Sequence, residues 1–366
     1  MAIVPQEPDS ERHEEHTEER QRGAHETPGA GEIGHTIKDA RNPRSATFQP
    51  MLTLSDVRAA RERIGDRVHH TPLLSATRLG ARIGAVLYHK CESLQKTGSF
   101  KVRGALNRLA LLDEAARARG VVTVSAGNHA QALAWAARDA GVRCTVVMPT
   151  TASRTKVDAS RGYGADVVLY GASGMDAFAR AHELSVERSL TFVHPFDDDA
   201  IMAGQGTAGL EILDQLDEFD DVIVPIGGGG LIGGIAVAIK ESRPSVKVYG
   251  VEPTGAAVMR KSLDAGYPVR LDAMKTIADG LAAPMAGDLT YPIVKKYVDD
   301  LILVDDEEIA DAMRELLFSA KLLAEGAGAA ATAAVLSGKL PLAGRRVVAV
   351  LSGGNVDASR VKEILQ

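Results

Sequence analysis

Lys101 is the first residue whose type and setting could do chemistry, and it lies in the segment QKTGSFKVRGA at positions 95–105. Apolar residues recur at helical spacing from Val102 to Leu112, so a helix is predicted with Ser99 as its N-cap and Lys101 in its first turn. The positive end of the helix dipole disfavours an ammonium group, which shifts the pKa of the lysine toward the neutral amine. A neutral amine can form a Schiff base with an aldehyde. Taken alone, Lys101 is more simply interpreted as a solvated surface lysine.

A glycine-rich turn after an apolar strand is the second candidate, and it consists of Gly227, Gly228, Gly229, Gly230 and Leu231. Without side chains in the way, the backbone N–H groups of such a turn can approach an anion at the positive end of the next helix. A phosphate monoester suits this arrangement. The turn lacks the Gly-Lys-Ser/Thr ending of a Walker loop and the spaced glycines of a dinucleotide site. Tight packing of strand against helix is the alternative explanation.

A second strand-to-helix turn is formed by Ser125, Ala126, Gly127, Asn128 and His129. Its free N–H groups could bind a carboxylate, and the side-chain amide of Asn128 could donate to a phenolate oxygen. The same residues could equally form an ordinary helix cap. By itself, His129 is more often a structural histidine than an acid or base.

The third turn, at residues 352–355, reads Ser-Gly-Gly-Asn and ends the last apolar strand. The hydroxyl of Ser352 could donate a hydrogen bond to a heterocyclic nitrogen. Capping of a following helix by Ser352 is an equally good local interpretation.

These residues must be positioned by strands and helices that alternate along the chain and are joined by short loops. Strands are predicted at 86–89, 121–124, 144–148, 166–169, 191–193, 222–226, 246–251, 301–304 and 347–351. Helices are predicted at 55–64, 130–138, 153–161, 173–188, 201–215, 307–323 and 327–336. This alternation indicates an α/β protein with parallel sheets covered by helices. Ligands of such sheets bind at the carboxyl ends of strands, where all the turns above fall.

Composition excludes several classes of protein. Among 366 residues there are 42 Lys and Arg against 48 Asp and Glu, so no basic surface for nucleic acid is expected. Cys91 and Cys144 are far apart, which argues against a disulfide scaffold or zinc site and favours the cytoplasm. The apolar run 222–239 is broken by Pro225 and the glycines, so no membrane span is expected. Residues 1–50 are polar and are predicted to be a disordered tail.

Together the turns resemble the fold-type II family of pyridoxal-phosphate enzymes, most closely the threonine/serine dehydratases without a regulatory domain. Seven segments carry the resemblance in order: 97–105 (TGSFKVRGA), 125–131 (SAGNHAQ), 203–207 (AGQGT), 225–231 (PIGGGGL), 278–280 (ADG), 324–328 (AEGAG) and 351–355 (LSGGN). The resemblance implies a tryptophan synthase β-like fold of two lobes, each with a mainly parallel sheet. It further implies a large cofactor-binding domain of residues 51–112 and 200–366, a small mobile domain of residues 113–199, and a homodimer or homotetramer.

The same resemblance implies a role for each turn toward pyridoxal 5'-phosphate (PLP). Lys101 would carry the cofactor as a Schiff base, with Phe100 against one face of the ring. The phosphate would lie on residues 227–231, the ring hydroxyl near Asn128 and the ring nitrogen near Ser352. The amino-acid substrate would bind through its carboxylate to Ser125 and the N–H groups that follow it.

The implied reaction is deamination of L-threonine, and of L-serine, by loss of the β-hydroxyl, with Lys101 as the base that removes the Cα proton. The products are 2-oxobutyrate or pyruvate, and ammonia. Serine racemases of this fold have an acid/base serine where this sequence has Ala126, so racemisation is expected to be weak. Dehydration of 3-hydroxyaspartate stays open. A β-replacement synthase, an NAD-binding oxidoreductase and a non-catalytic cofactor-binding protein are weaker alternatives.

A metal site is the least supported expectation. In the racemase branch a Glu after a strand, followed by Pro, holds a divalent cation with an Asp; here Glu252 and Pro253 match, but the aspartate position falls near Val258. Glu252 is therefore only a possible ligand. The sequence ends one short helix after Ser352, so no carboxy-terminal effector domain and no feedback by isoleucine are expected.

Overall fold

The computed structural model describes residues 51–366, and the predicted tail of residues 1–50 lies outside them. Ten strands form two sheets: β1 Leu73–Ser75, β2 Val86–Cys91, β3 Val121–Val124, β4 Cys144–Met148, β5 Asp166–Leu169, β6 Thr191–Phe192, β7 Asp221–Pro225, β8 Lys247–Pro253, β9 Asp300–Val304 and β10 Arg346–Leu351. All nine predicted strands are present within a few residues of their predicted bounds.

The larger sheet has the order β1-β2-β10-β7-β8-β9, and every pair in it is parallel except β1 with β2. Its central strands are almost unbroken runs of buried aliphatic residues, as expected when helices cover both faces of a parallel sheet. The antiparallel strand β1 was not predicted, because three residues next to a proline give no periodic signal.

The smaller sheet has the order β5-β4-β3-β6 and is parallel throughout. All four of its strands lie within the segment 113–199 that was predicted to form a small domain. The described residues, 51–366, lie within one compact unit. The exact domain boundaries, and the mobility of the smaller domain, stay predictions.

Fourteen α-helices accompany the sheets in the described residues: α1 Leu54–Ile64, α2 Thr77–Ile83, α3 Lys101–Ala110, α4 Glu114–Arg119, α5 Asn128–Asp139, α6 Arg154–Gly162, α7 Gly174–Glu187, α8 Asp199–Gln215, α9 Gly230–Ser242, α10 Val258–Ala265, α11 Thr290–Tyr297, α12 Asp306–Glu315, α13 Gly326–Leu336 and α14 Ala358–Leu365. Helices α2, α4, α10 and α11 are short and were not predicted.

Helix α9 explains the long apolar run in the sequence. Every residue from Gly230 to Ile239 is buried, so the run is a strand, a glycine turn and a core helix, as predicted. No helix of the described chain has both the length and the apolar character needed to cross a bilayer.

The predicted helix 307–323 was wrong at its carboxyl end. Helix α12 ends at Glu315 and continues as one π-helical turn, Leu316–Ala320. Lys321 then adopts a left-handed conformation with φ of 60°, which breaks the helix. The apolar residues in this stretch maintain a helical pattern, so periodicity alone does not reveal the break.

Candidate active site

One cavity of about 1030 Å³ lies at the carboxyl ends of the strands and is lined by all the predicted turns. The turn after β3 comes from the smaller sheet, whereas the turns after β7 and β10 come from the larger one. Lys101 lines the same cavity. The expectation that these segments converge is therefore confirmed: the parallel strands of each sheet end at one edge, and turns from both edges line this cavity.

Lys101 is the first residue of α3, as predicted, but Ser99 is not its N-cap. Phe100 precedes the helix with helical angles, while Ser99 is extended with φ of −161° and pairs with Gly353 at the end of β10. The Ser99 hydroxyl has no partner among the described residues. The predicted cap failed because pairing with a segment distant in sequence determines the backbone of Ser99.

The amine of Lys101 is held inside the cavity. Its Nζ donates to the carbonyl oxygen of Pro195 at 2.8 Å and lies 5.2 Å from the centre of the Phe100 ring. Withdrawal from water lowers the pKa of Lys101 to about 8, although the nearby Glu325 carboxyl opposes the shift. About a tenth of this amine is therefore neutral at pH 7 and about half at pH 8, far more than for an ordinary lysine.

The glycine turn forms a cradle at the start of α9. Gly229 has φ of 97°, a left-handed conformation that favours glycine, and a Cβ on Gly228 would collide with the ring of Phe196. The first N–H groups of α9 have no partner within the helix. An anion of phosphate size placed at this end of α9 would meet several N–H donors and no side chain of the turn except that of Leu231.

The turn after β3 is more open than the glycine turn. The N–H of Gly127 donates to Oγ of Ser125 at 3.1 Å, which leaves the hydroxyl hydrogen of Ser125 free to donate elsewhere. A Cβ on Gly127 would meet nothing within 4 Å. Helix α5 begins at Asn128, so its positive end faces the cavity that Ala126 also lines.

Asn128 is oriented by two partners that lie far away in sequence. Its Nδ2 donates to Oε1 of Glu325 at 2.6 Å, and its Oδ1 accepts from Nδ2 of Asn355 at 2.8 Å. Asn355 also donates to the carbonyl oxygen of Thr97 at 2.7 Å, so both of its N–H bonds are used. One N–H of Asn128 remains available to a ligand in the cavity.

Glu325 was not identified as a site residue from the sequence. It is the one acidic residue of the segment AEGAG, and that isolation among small residues is the signal that could have found it. Loss of contact with water raises the pKa of Glu325 to about 7, against the hydrogen bond from Asn128. Glu325 is thus a titratable carboxyl beside Lys101.

Two histidines in the cavity wall are held neutral. Burial, with the nearby charge of Lys101, places the pKa of His129 well below its usual value, and neither of its ring nitrogens has a partner in the described chain. The pKa of His194 is lowered to about 4, chiefly by burial. The Nδ1 of His194 accepts the N–H of Phe196 at 3.3 Å and of Asp197 at 2.8 Å, so its proton resides on Nε2.

Ser352 ends strand β10, as predicted, and is 3% exposed. Its Oγ lies 3.3 Å from the carbonyl oxygen of Ala327, a long hydrogen bond that a better acceptor could replace. The alternative that Ser352 caps a helix was wrong, because the next helix begins only at Ala358.

Glu252 performs a structural task instead of lining the cavity. Its two carboxylate oxygens accept the N–H groups of Met259 at 2.7 Å and Arg260 at 2.8 Å in the first turn of α10. No cluster of three potential metal ligands occurs in residues 51–366. Glu252 is thus a helix cap in this structure, and its possible role as a metal ligand stays a prediction.

The residues present fit pyridoxal phosphate. Lys101 offers an amine to the aldehyde, and the turn at 227–230 offers backbone N–H groups to the phosphate where neighbouring residues leave no room for side chains on the glycines. Asn128 has an unused N–H for the ring hydroxyl, and Ser352 has a weakly bonded hydroxyl for the ring nitrogen. The aromatic face of Phe100 lines the same cavity.

The family model described as pyridoxal-phosphate dependent enzyme matches residues 64–353. The chain belongs to this family. Its members bind PLP, so PLP is the cofactor of this protein and its fold is that of the fold-type II PLP enzymes.

Curated relatives and solved structures of this family cover most of the chain. An L-threonine ammonia-lyase of Thermotoga maritima is 47% identical over 315 residues, which are 86% of this chain and 78% of that protein. A catabolic L-threonine dehydratase of Escherichia coli is 42% identical over 320 residues, which are 87% and 97% of the two chains. The structure of maize serine racemase superposes with a TM-score of 0.83 at 38% identity, covering 86% and 97%.

Proposed function

We propose that this protein is a threonine ammonia-lyase that converts L-threonine, and more slowly L-serine, to a 2-oxo acid and ammonia. The observation that carries this proposal is the amine of Lys101, with its pKa lowered to about 8, in one cavity with the glycine turn before α9 and the turn before α5. The names of the two curated relatives support the choice of threonine.

When bound, pyridoxal phosphate supplies an aldehyde that links to amines and a conjugated ring that accepts the electrons released at the Cα atom of an amino acid. Lys101 would hold the cofactor at Nζ, and the same amine, when free, would be the base that accepts the Cα proton. Its lowered pKa matters here, because an ordinary lysine would be an ammonium that cannot accept a proton at neutral pH.

The turn after β3 orients the substrate. The free hydroxyl of Ser125 and the N–H groups at the start of α5 can donate to the two oxygens of the substrate carboxylate. With the carboxylate held at this turn and the amine held near Lys101, the Cα–H bond has one fixed direction in the cavity.

Ser352 favours elimination over reactions that need a long-lived carbanion. A hydroxyl beside the ring nitrogen does not stabilise a positive charge on it as a carboxylate would. The β-hydroxyl would then leave as water, and the proton that Lys101 took from the Cα atom balances the proton that this water carries away. Hydrolysis of the resulting C=N bond consumes one water, so threonine yields 2-oxobutyrate and ammonia with no net change in water.

Racemisation is the main competing activity within the family. It requires a proton donor on the face of the substrate opposite Lys101, where racemases of this fold have a serine. Here the position is Ala126, whose methyl group lines the cavity and carries no exchangeable proton. Deamination is therefore favoured over the activity named for the maize relative.

We also propose that the protein acts as a homodimer or homotetramer in the cytoplasm. Phe318 and Leu323, which are 57% and 49% exposed on and after the π-helical turn, offer apolar surface for such an interface. Light scattering after size-exclusion chromatography measures the mass directly. A mass of one chain at micromolar concentration would contradict the oligomer.

The decisive experiment is to follow 2-oxo acid formation by the PLP-loaded protein with L-threonine, L-serine and L-threo-3-hydroxyaspartate in parallel. Fastest release from threonine supports the proposal. Preference for 3-hydroxyaspartate would reassign the substrate while keeping the reaction. Absence of any oxo acid from a protein that shows the visible absorbance of lysine-bound PLP would refute the dehydratase assignment and favour a β-replacement enzyme.

A further inference from the structure

A buried side chain outside all of the sequence motifs is hydrogen-bonded to the backbone of the glycine cradle. Thr290, the first residue of α11, is fully buried, and its Oγ1 donates to the carbonyl oxygen of Gly228 at 2.7 Å. The N–H of Gly287 donates to the same Oγ1 at 3.1 Å. The carbonyl oxygen of Gly287 is the other acceptor within reach but lies 3.4 Å away, so the hydroxyl hydrogen is directed at Gly228.

This hydrogen bond determines which way one peptide group of the cradle faces. In a trans peptide the C=O and the N–H point in opposite directions. The carbonyl of Gly228 points to Thr290, so the N–H of Gly229 points away from Thr290 and toward the cavity that the turn lines. If this peptide flipped, a carbonyl oxygen would face a bound phosphate and repel it.

Asp197 in turn fixes the position of Thr290. One of its carboxylate oxygens accepts the N–H groups of Leu289 at 2.9 Å and Thr290 at 3.2 Å, and the other accepts that of Asp288 at 3.0 Å. A Cβ on Gly287 would collide with this carboxylate, so the chain approaches it closely. Asp197 thus caps the loop from which Thr290 reaches the cradle.

We propose that Thr290 is a positioning residue that orients the Gly228–Gly229 peptide for the phosphate of the cofactor, with Asp197 anchoring it. The role is specific to the phosphate: the aldehyde and ring of the cofactor contact other parts of the cavity, and their binding does not depend on this peptide. Removal of the Thr290 hydroxyl therefore weakens a ligand that carries a phosphate and spares one that lacks it.

The test compares PLP with pyridoxal, which has the same ring and aldehyde but no phosphate. Apoprotein of the wild type, Thr290→Val and Thr290→Ser is titrated with each compound, following the absorbance of the lysine-bound form. Thr290→Val keeps the shape of threonine and loses the donor, so we expect the Kd for PLP to rise about tenfold and the Kd for pyridoxal to change less than about twofold. Thr290→Ser restores the donor and is expected to bind PLP as the wild type does.

Two outcomes would overturn the proposal. Equal weakening of PLP and pyridoxal binding would mean that Thr290 only supports the fold. Unchanged PLP binding would mean that phosphate binding by the Gly228–Gly229 peptide does not depend on the Thr290 hydroxyl. If Thr290→Val is not folded by circular dichroism, Thr290→Ala removes the same donor with less bulk and carries the same expectation. Inorganic phosphate provides a second readout, because it should compete with PLP less well in the donor-less variant than in the wild type.

Discussion

The two ends of the cavity are built from the same local motif, a turn from a parallel strand into a helix, yet they are packed very differently. At the phosphate end, Gly229 has a positive φ, and an added Cβ would lie 2.8 Å from Thr290. At the carboxylate end, residues 125–128 are all partly exposed, and an added Cβ on Gly127 would meet nothing. One turn is enclosed by neighbours and the other is bordered mainly by the cavity.

The difference matches what each turn is proposed to bind. A cofactor phosphate stays in place through many turnovers, so its N–H donors benefit from a rigid setting. A substrate carboxylate enters and leaves in each turnover, and an open turn gives it a path. Asn128 is the exception at the open end, because Glu325 and Asn355 of the larger sheet's turns hold it at 2.6 and 2.8 Å. It contributes a fixed donor within a loosely packed turn.

Loss of Lys101 should have the largest effect, since neither end of the cavity can act without it. Lys101→Ala is expected to lower kcat by about four orders of magnitude or more and to abolish the visible absorbance of lysine-bound PLP. Kinetics and spectra of the same preparation measure both. Lys96→Ala, which removes a lysine that lies 5.2 Å from the Trp135 ring centre, is the matched control and should retain activity. An active Lys101→Ala protein would rule out this assignment.

A pair of glycine substitutions tests the comparison directly. Gly229→Ala places a methyl group at φ of 97° against Thr290, so the cradle must deform, and the Kd for PLP should rise about 10- to 100-fold. Gly127→Ala adds the same methyl group to the open turn and should leave PLP binding within about threefold. Titration of the two apoproteins, with thermal unfolding to verify folding, gives both values. Similar losses in the two variants would show that the ends do not differ in rigidity.

Glu325 should make the stability of the apoprotein depend on pH. Its pKa in the folded protein is about 7, above the 4.5 of the exposed side chain, so the folded state loses stability as pH rises from about 4.5 through 7. Glu325→Gln can still accept from Asn128 but does not ionise. Between pH 5 and pH 8, the wild type should lose on the order of 1–3 kcal/mol of unfolding free energy relative to this variant. Urea denaturation at both pH values measures the difference, and parallel behaviour would contradict it.

Whether a feature of this site could be predicted from the sequence depended on how far apart in the chain its residues lie. Lys101 at a helix start, the glycine turn and Ser352 at a strand end are local patterns, and each was placed correctly. Glu325 was missed because it meets Asn128 across 197 residues, and no short-range signal links the two. Likewise, the cap by Ser99 was wrong because its pairing with Gly353 overrides local preference.

The residues that support the glycine cradle, Thr290 and Asp197, could not be predicted for the same reason. Thr290 reaches Gly228 from 62 positions away, and Asp197 accepts N–H groups from 91 to 93 positions away. Individually a threonine and an aspartate are among the least informative residues in a sequence. The convergence of the turns on one cavity was thus predictable from the sequence, whereas the contacts that stiffen one turn and leave the other open required the structure.

Ala126→Ser gives the smallest expected effect and tests the open end of the cavity alone. A serine here would place a hydroxyl opposite Lys101, where it could return a proton to the other face of Cα. We expect the rate of conversion of L-serine to D-serine to rise about tenfold while remaining below the rate of deamination. Chiral chromatography of the amino acid, alongside the oxo-acid assay, separates the two rates.

Ala126→Gly changes the same position without adding a proton donor, so it should leave racemisation at the wild-type level. Ala126 is partly exposed and lines the cavity, so a failed gain with deamination unchanged could not be attributed to a disturbed cavity. It would mean that the proton of the second face comes from elsewhere in the cavity wall.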